Sequence, residues 1–286
     1  MRRGRWAGIA AALAIAGVGV VTSGCGGGSS LALDPVAAAA TKTQQAGAAR
    51  VRFALQISSP RLQGKVVRIH GTGAVDGTSA QLTTSVGSLL QQAGLSVGTN
   101  ASTKEIVLEH NGDYVLYVQL GSLAPQLPTG KHWIELNLSK LAKSAGIDLS
   151  QLTSGSQGSP ADLLSMLKGE GAKIHDLGPA TVNGTATTHY RVRIDLAKAL
   201  QAKGVTNPML DLMAARMPTV PVDAWIGSDG LVHRIHVSYG LEKSRLGLTI
   251  DMYDYGAHVT IAAPPSSDVF DATQLAQQGF GSTAHW

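Results

Sequence analysis

Residues 220–253 read VPVDAWIGSDGLVHRIHVSYGLEKSRLGLTIDMY, and three consecutive strands are legible in them. Val220–Ile226 and Leu231–Leu241 flank Ser228-Asp229-Gly230, a turn signal that joins neighbouring antiparallel strands. Arg245–Tyr253 follows, with Leu246, Leu248, Ile250 and Met252 at every second position. A period of two sets one apolar row on one side of a strand. Strands linked by short turns build an antiparallel sheet.

The same pattern recurs along the chain. Arg50–Ile57 alternates, placing Val51, Phe53, Leu55 and Ile57 on one face. Lys65–Val75 continues beyond a turn bounded by Pro60 and Gly64, and Ala80–Thr84 gives a third strand. Glu105–Glu109 and Tyr114–Val118 flank Asn111-Gly112, which readily supplies the positive φ angles of a type I′ turn. Further strands are expected at Lys131–Leu136, Ala172–Leu177, Ala180–Asn183 and Thr187–Ile194.

Helices gather at the start and middle of the chain. Asp34-Pro35 is an N-cap followed by a first-turn proline, opening an Ala-rich helix over Val36–Ala48 that Gly47 loosens. Others are expected over Leu138–Ala145, from Ser159-Pro160-Ala161-Asp162 to Lys168, and over Asp195–Lys203 and Pro208–Arg216. Ser85–Ser102 reads as a loop with one helical turn, and the tail from Pro264 as irregular with a short helix near Asp271–Gln278. The fold class is α+β, a large curved antiparallel sheet with its helices on one face. The Gly/Ser stretch Ser154–Ser159 lies between helices of one cluster, so residues 35–286 are expected to form a single domain.

Of the 286 residues, 44% are hydrophobic and 15% charged, which fits a globular chain rather than a disordered one. A single cysteine excludes an internal disulfide and any Cys-built metal or iron–sulfur site. The net charge is +4, but Arg2, Arg3 and Arg5 precede the first acid at Asp34, so the remainder carries only +1. No nucleic-acid partner is expected from such a balance.

The first residues read as an export signal. Met1-Arg-Arg-Gly-Arg5 is a positive n-region, Trp6–Val21 an uncharged apolar run, and Thr22-Ser-Gly-Cys25 a small-residue close. The run is shorter than the roughly 20 residues of a spanning helix and is diluted by glycine. Gly26-Gly-Gly-Ser-Ser30 then supplies a flexible polar tether. The competing reading is an ordinary signal peptide or N-terminal anchor with an incidental cysteine.

Motifs of catalysis were sought. There is no Gly-x-Ser-x-Gly, no phosphate-cradling glycine loop ending in Lys-Ser/Thr and no His-Glu-x-x-His. The nine histidines are scattered; His233 and His236 are an odd interval apart, so a regular strand would point them to opposite faces. His258 follows Asp254 by four residues without a nucleophile motif beside it, which suits a solvated turn. The expectation is a protein that is not an enzyme, with no catalytic residues, no metal and no cofactor.

Thr22-Ser-Gly-Cys25 resembles the lipobox of bacterial lipoproteins, although Thr22 stands where leucine is usual. That resemblance implies that Cys25 carries a diacylglycerol thioether and becomes the first residue after cleavage. Residues 1–24 would then be the signal peptide and 25–34 the tether. Several further pieces, in order, resemble the LppX/LprAFG lipoproteins, relatives in fold of the LolA and LolB carriers. They are Pro35–Ile57, Gly130–Leu136, Val182-Asn-Gly-Thr185 through His189-Tyr-Arg-Val192, and Val220–Ile235. Ser85–Ser102 and Leu149–Ser159 are not matched. The resemblance implies a half-open β-barrel around helices, with an apolar cavity that holds the acyl chains of a lipid.

The expected function is therefore that of an envelope lipoprotein on the extracytoplasmic face of the cell membrane. It would be anchored at Cys25 and bind a lipid or acylated ligand, with an envelope transporter or acceptor protein as a further partner. Val51, Phe53, Leu55, Ile106, Leu108, Leu116, Ile134, Leu248 and Ile250 are the candidate lining residues, chosen because they fall on alternating apolar faces. Trp133 and Trp225 are expected to plug the junction of sheet and helices. Two alternatives remain: a scaffold lipoprotein that recognises another envelope protein without a cavity, and an envelope hydrolase.

Overall fold

A computed structural model describes residues 35–62, 66–92, 98, 100–110, 112–121, 127–144, 173–202, 208–241 and 243–281. Twelve strands form one sheet: β1 Ala49–Ser58, β2 Val66–Asp76, β3 Ser79–Ser85, β4 Ser102–His110, β5 Asp113–Gln119, β6 Trp133–Asn137, β7 Lys173–Val182, β8 Thr185–Asp195, β9 Thr219–Gly227, β10 Val232–Leu241, β11 Ser244–Tyr253 and β12 Val269–Asp271. Their order is β12-β6-β5-β4-β3-β2-β1-β11-β10-β9-β8-β7. Two meanders, β1–β6 and β7–β11, meet where β1 pairs with β11, so β7 ends the sheet on one side and β12, added outside β6, ends it on the other. All pairs are antiparallel except β12 with β6. The sheet does not close on itself, and the architecture is a half-open α+β one.

Local chemistry explains the joints. Asn183 and Gly184 adopt positive φ, 48° and 85°, and reverse the chain between β7 and β8; asparagine and glycine tolerate that region best. Gly230, at φ 71°, ends the turn between β9 and β10, where Asp229 Oδ1 accepts the Leu231 amide at 3.0 Å. The two expected strands Ala172–Leu177 and Ala180–Asn183 are one strand, β7, interrupted by a bulge at Leu177, next to Gly178 with φ 90°. The expected helix from Ser159 to Lys168 lies outside the described residues.

Helix α1 spans Pro35–Gln45 and ends before Gly47, at φ 75°, three residues short of the expected Val36–Ala48. Its buried side is Val36, Ala37, Ala39, Ala40 and Thr43. Methyl side chains let the helix approach the sheet closely, and Val36, Ala39 and Ala40 pack on Val192, Val222, Ala224, Ile226, Val232 and Ile235. Two polar clasps fix it to the β9–β10 hairpin: Thr43 Oγ1 accepts the buried Val232 amide at 3.0 Å, and Lys42 Nζ donates to the Asp229 carbonyl at 2.6 Å. The Tyr255 hydroxyl donates to the Val232 carbonyl beside them. Helix α2, Gly87–Gln92, is the helical turn expected in Ser85–Ser102, and its Leu89 packs over Phe53, Leu55, Val67 and Ile69. Helix α3 (Leu138–Ser144) and a helix over Thr273–Gly281 cover the β5–β6 end.

Candidate functional site

Directly paired residues of neighbouring strands share a face, so the register assigns every side chain to one side. Phe53 opposes Ile250, Leu55 opposes Leu248 and Ile57 opposes Leu246; on the next strand Ile235 opposes Ile250 and Val237 opposes Leu248. The α1 cluster and the α2 cluster therefore lie on the same apolar face. Between them runs a row of half-buried aliphatics, Leu246, Leu248, Ile250 and Val237, while Val51, Phe53 and Leu55 beside it on β1 are buried.

The register brings together seven of the nine expected lining residues. Val51, Phe53, Leu55, Leu248 and Ile250 form the centre of that face, and Leu116 and Ile134 extend it on β5 and β6 through the pairs Leu82–Glu105–Val118–Ile134 and Val107–Leu116–Leu136. Ile106 and Leu108 are placed on the opposite face, across from Tyr117 and Val115. The reason is local: Ile106, Val107 and Leu108 are consecutive apolar residues, so alternation cannot choose between them. The pairing of Glu105 with Leu82 and Val118 decides.

That pairing puts a carboxylate on the apolar face. Glu105 accepts hydrogen bonds from Thr84 Oγ1 and Thr103 Oγ1, both at 2.8 Å. Burial pushes its carboxyl above the usual range, outweighing the two threonine hydroxyls that favour the ionised form. No sequence pattern marked this residue, because a Glu next to Lys104 at the head of an apolar run ordinarily reads as a solvated position.

The other face is polar and cross-linked by arginines. Arg234 grips Asp251 with two bonds, Nε to Oδ1 at 2.5 Å and Nη2 to Oδ2 at 2.8 Å, and Asn183 Nδ2 adds a third at 3.1 Å. Burial alone would raise the Asp251 carboxyl. The bonds from Arg234 and Asn183, with the charges of Arg234 and Arg52, outweigh it and hold the group below the ordinary range. Arg191 grips Asp223 in the same fork at 2.7 and 3.0 Å, with His189 Nε2 3.3 Å away. Trp225 belongs to this side: it stacks on His189 at 4.2 Å and lies under Arg234 at 5.8 Å. It does not plug the junction of sheet and helix, since Ala224 is the residue that meets α1. Trp133 is buried on the polar side of β6, in register with Gln119. His233 is the extra residue of a bulge between Val232 and Arg234, so the odd interval to His236 does not assign its face.

Among the described residues no group of three or more His, Cys, Asp or Glu is arranged to hold a metal ion, and no helix is long and apolar enough to cross a membrane. Cys25 lies outside the described residues.

No family model matches the chain. An uncharacterized 31.2 kDa protein of the rplA-rplJ intergenic region of Streptomyces griseus is 26% identical over 261 residues, 86% of this chain and 81% of that protein. Among solved structures, the chain is similar to the lipoprotein LppX of Mycobacterium tuberculosis, at 17% identity and a TM-score of 0.43 over 80% of this chain and 100% of that one. It is also similar to LprF from Mycobacterium bovis, at 14% identity and a TM-score of 0.39 over 81% and 96% of the two chains. A LolA superfamily protein from Nitrosomonas europaea follows at 10% identity and a TM-score of 0.31, over 83% and 96%.

Proposed function

We propose that the protein is an envelope lipoprotein, anchored to the membrane through Cys25, that binds a lipid or acylated ligand on its apolar sheet face and carries it within the envelope. In this reading residues 1–24 are removed on export, 25–34 are the tether and 35–286 are the carrier domain. The role is binding rather than catalysis.

The observation that carries the reading is the half-buried aliphatic row Leu246, Leu248, Ile250 and Val237 between two helix-covered clusters on one face. An apolar row left partly exposed gains up to about 0.8 kcal/mol for each ligand methylene laid against it. The positive, apolar and small-residue order before Cys25, followed at once by a glycine tether, supports the anchor. Native mass spectrometry of the full chain, recovered from membranes of an expressing bacterium, tests both halves. A mass increase of acyl groups on Cys25 and a released lipid adduct are expected. A chain without releasable lipid, and indifferent to added phospholipid, would leave the scaffold reading in its place.

A further inference from the structure

Charge is separated along the strands. The register collects Ser58 of β1, Val66 of β2, Asp195 of β8, Thr219 of β9, Leu241 of β10 and Ser244 of β11 at one end of the sheet. Three connections leave that end, residues 58–68, 193–219 and 241–245, and they hold nine Arg and Lys against three Asp and Glu. Residues 85–102, 119–133 and 264–268, further along the same end, add one charge of each sign, Lys131 and Asp268. The five turns at the opposite end, residues 76–79, 109–113, 182–185, 227–232 and 253–256, hold five acids and no Arg or Lys. Beside them, Arg50 pairs with Asp254 at 3.5 Å and Lys42 donates to the Asp229 carbonyl. A chain whose charges nearly cancel beyond Arg5 is therefore basic at one end of its sheet and acidic at the other.

The basic end is accessible and partly apolar. Arg68, Arg193, Arg216, Lys243 and Arg245 are exposed and form no ion pair among the described residues, whereas Lys198 is shared with Asp195 at 3.9 Å. Two aliphatics stand exposed at the same end, Leu212 on the helix over Pro208–Arg216 at 54% and Val66 at 40%. The half-buried aliphatic row also comes to this end, since Leu246 is its member nearest the β10–β11 turn. Helix α1 runs the right way for an anchor. Lys42 and Thr43 clasp its last turn to the β9–β10 turn at the acidic end, so its start at Pro35 points back from that end over the sheet. The ten residues 25–34 before it span up to about 35 Å when extended, about the length of a strand.

We infer that the basic end of the sheet docks on an anionic phospholipid bilayer, with its Arg and Lys against the headgroups and Leu212 and Val66 in the interface. Clustered cations are drawn to the negative surface of such a bilayer, and aliphatics beside them bury at its headgroup boundary. The acidic end is repelled by the same surface, so the field orients the molecule as well as holding it. Docked in this way, the Leu246 end of the aliphatic row faces the bilayer from which a lipid would come. The inference rests on the anchored reading above for what brings the chain to a membrane.

The test places the full chain, recovered from membranes of an expressing bacterium, on vesicles of phosphatidylglycerol mixed with phosphatidylcholine and on vesicles of phosphatidylcholine alone, and follows hydrogen exchange. Amides of 208–216 and 243–246 are expected to exchange about fivefold more slowly on the anionic vesicles, and the turns 76–79 and 228–231 equally on both. Raised salt should abolish the difference, because it screens exposed charges. Lys243→Glu with Arg245→Glu should abolish it too; both positions are exposed, and an unchanged melting temperature verifies the fold. Equal exchange on the two vesicles overturns the inference and points to an acidic protein surface as the partner of this end. Slowing that survives both substitutions, or that falls on the acidic turns, overturns it as well. The acyl mass on Cys25 is read separately, so a failed anchor appears as a chain without acyl groups and a failed docking as an acylated chain whose basic end exchanges freely.

Discussion

Asp251, buried, and Glu105, half-buried, are two carboxylates with opposite fates. Asp251 has its charge matched by a bidentate arginine, so its ionised form is the stable one in the fold. Its contribution is present at neutral pH and is lost as the pH falls through its depressed pKa. Asp251→Asn leaves Arg234 without a charge partner and should cost about 3 kcal/mol at pH 7, measured by urea unfolding. Glu105 has hydroxyls but no cation bonded to it. Its folded pKa lies above the unfolded one, so the fold binds an extra proton just above the ordinary glutamate range. Stability therefore falls as the pH rises through that window. Glu105→Gln keeps an acceptor and a donor for the two threonines without the charge. The melting temperature of the variant should stay flatter than the parent's between pH 4 and 7, and an identical pH profile would contradict this assignment. Neither carboxylate is marked in the sequence, because what distinguishes them is who stands across the strand.

Between elements, close approach matters more than propensity. A Cβ on Gly71 would run into the Thr83 carbonyl and the Phe53 ring, whereas one on Gly240 would meet only ordinary contacts at 3.6 and 3.9 Å. Gly71→Ala should cost about 1–3 kcal/mol by overpacking, with Gly240→Ala close to neutral, when their urea midpoints are compared. The clasp between α1 and the sheet is polar at a buried point. Thr43→Val removes the acceptor of the Val232 amide and should cost about 1–3 kcal/mol, read as earlier unfolding of the helix contact in hydrogen exchange at Val232. Most strands and hairpins were legible, because Asn-Gly, Ser-Asp-Gly and period-two alternation are local codes. The bulges at Leu177 and His233 and the strand β12 were not. A bulge is chosen by the partner strand, and β12 has only three residues, which pair with a strand more than 130 positions away.

At the scale of the molecule, the sheet has two dissimilar sides. One gathers the aliphatic side chains under short helices, and the other locks acids to arginines. If the apolar side seats a ligand, Leu248→Trp should fill the half-buried row and lower the lipid co-purifying with the chain at least severalfold, without loss of fold by circular dichroism. Undiminished lipid would move the seat elsewhere. The measurement belongs at this scale because Leu248 takes its place from strands β1, β10 and β11 together.

What the order of residues settled by itself was local: which segments extend, which turn, and where the first helix begins. Those follow from dihedral preference and side-chain periodicity, properties that a short stretch carries alone. The tertiary structure decided the pairing of β1 with β11, the side to which Ile106 and Leu108 turn, the partial burial of Glu105 and the arginine fork on Asp251. Each of these depends on register between strands far apart in the chain, where a shift of one residue exchanges the two faces.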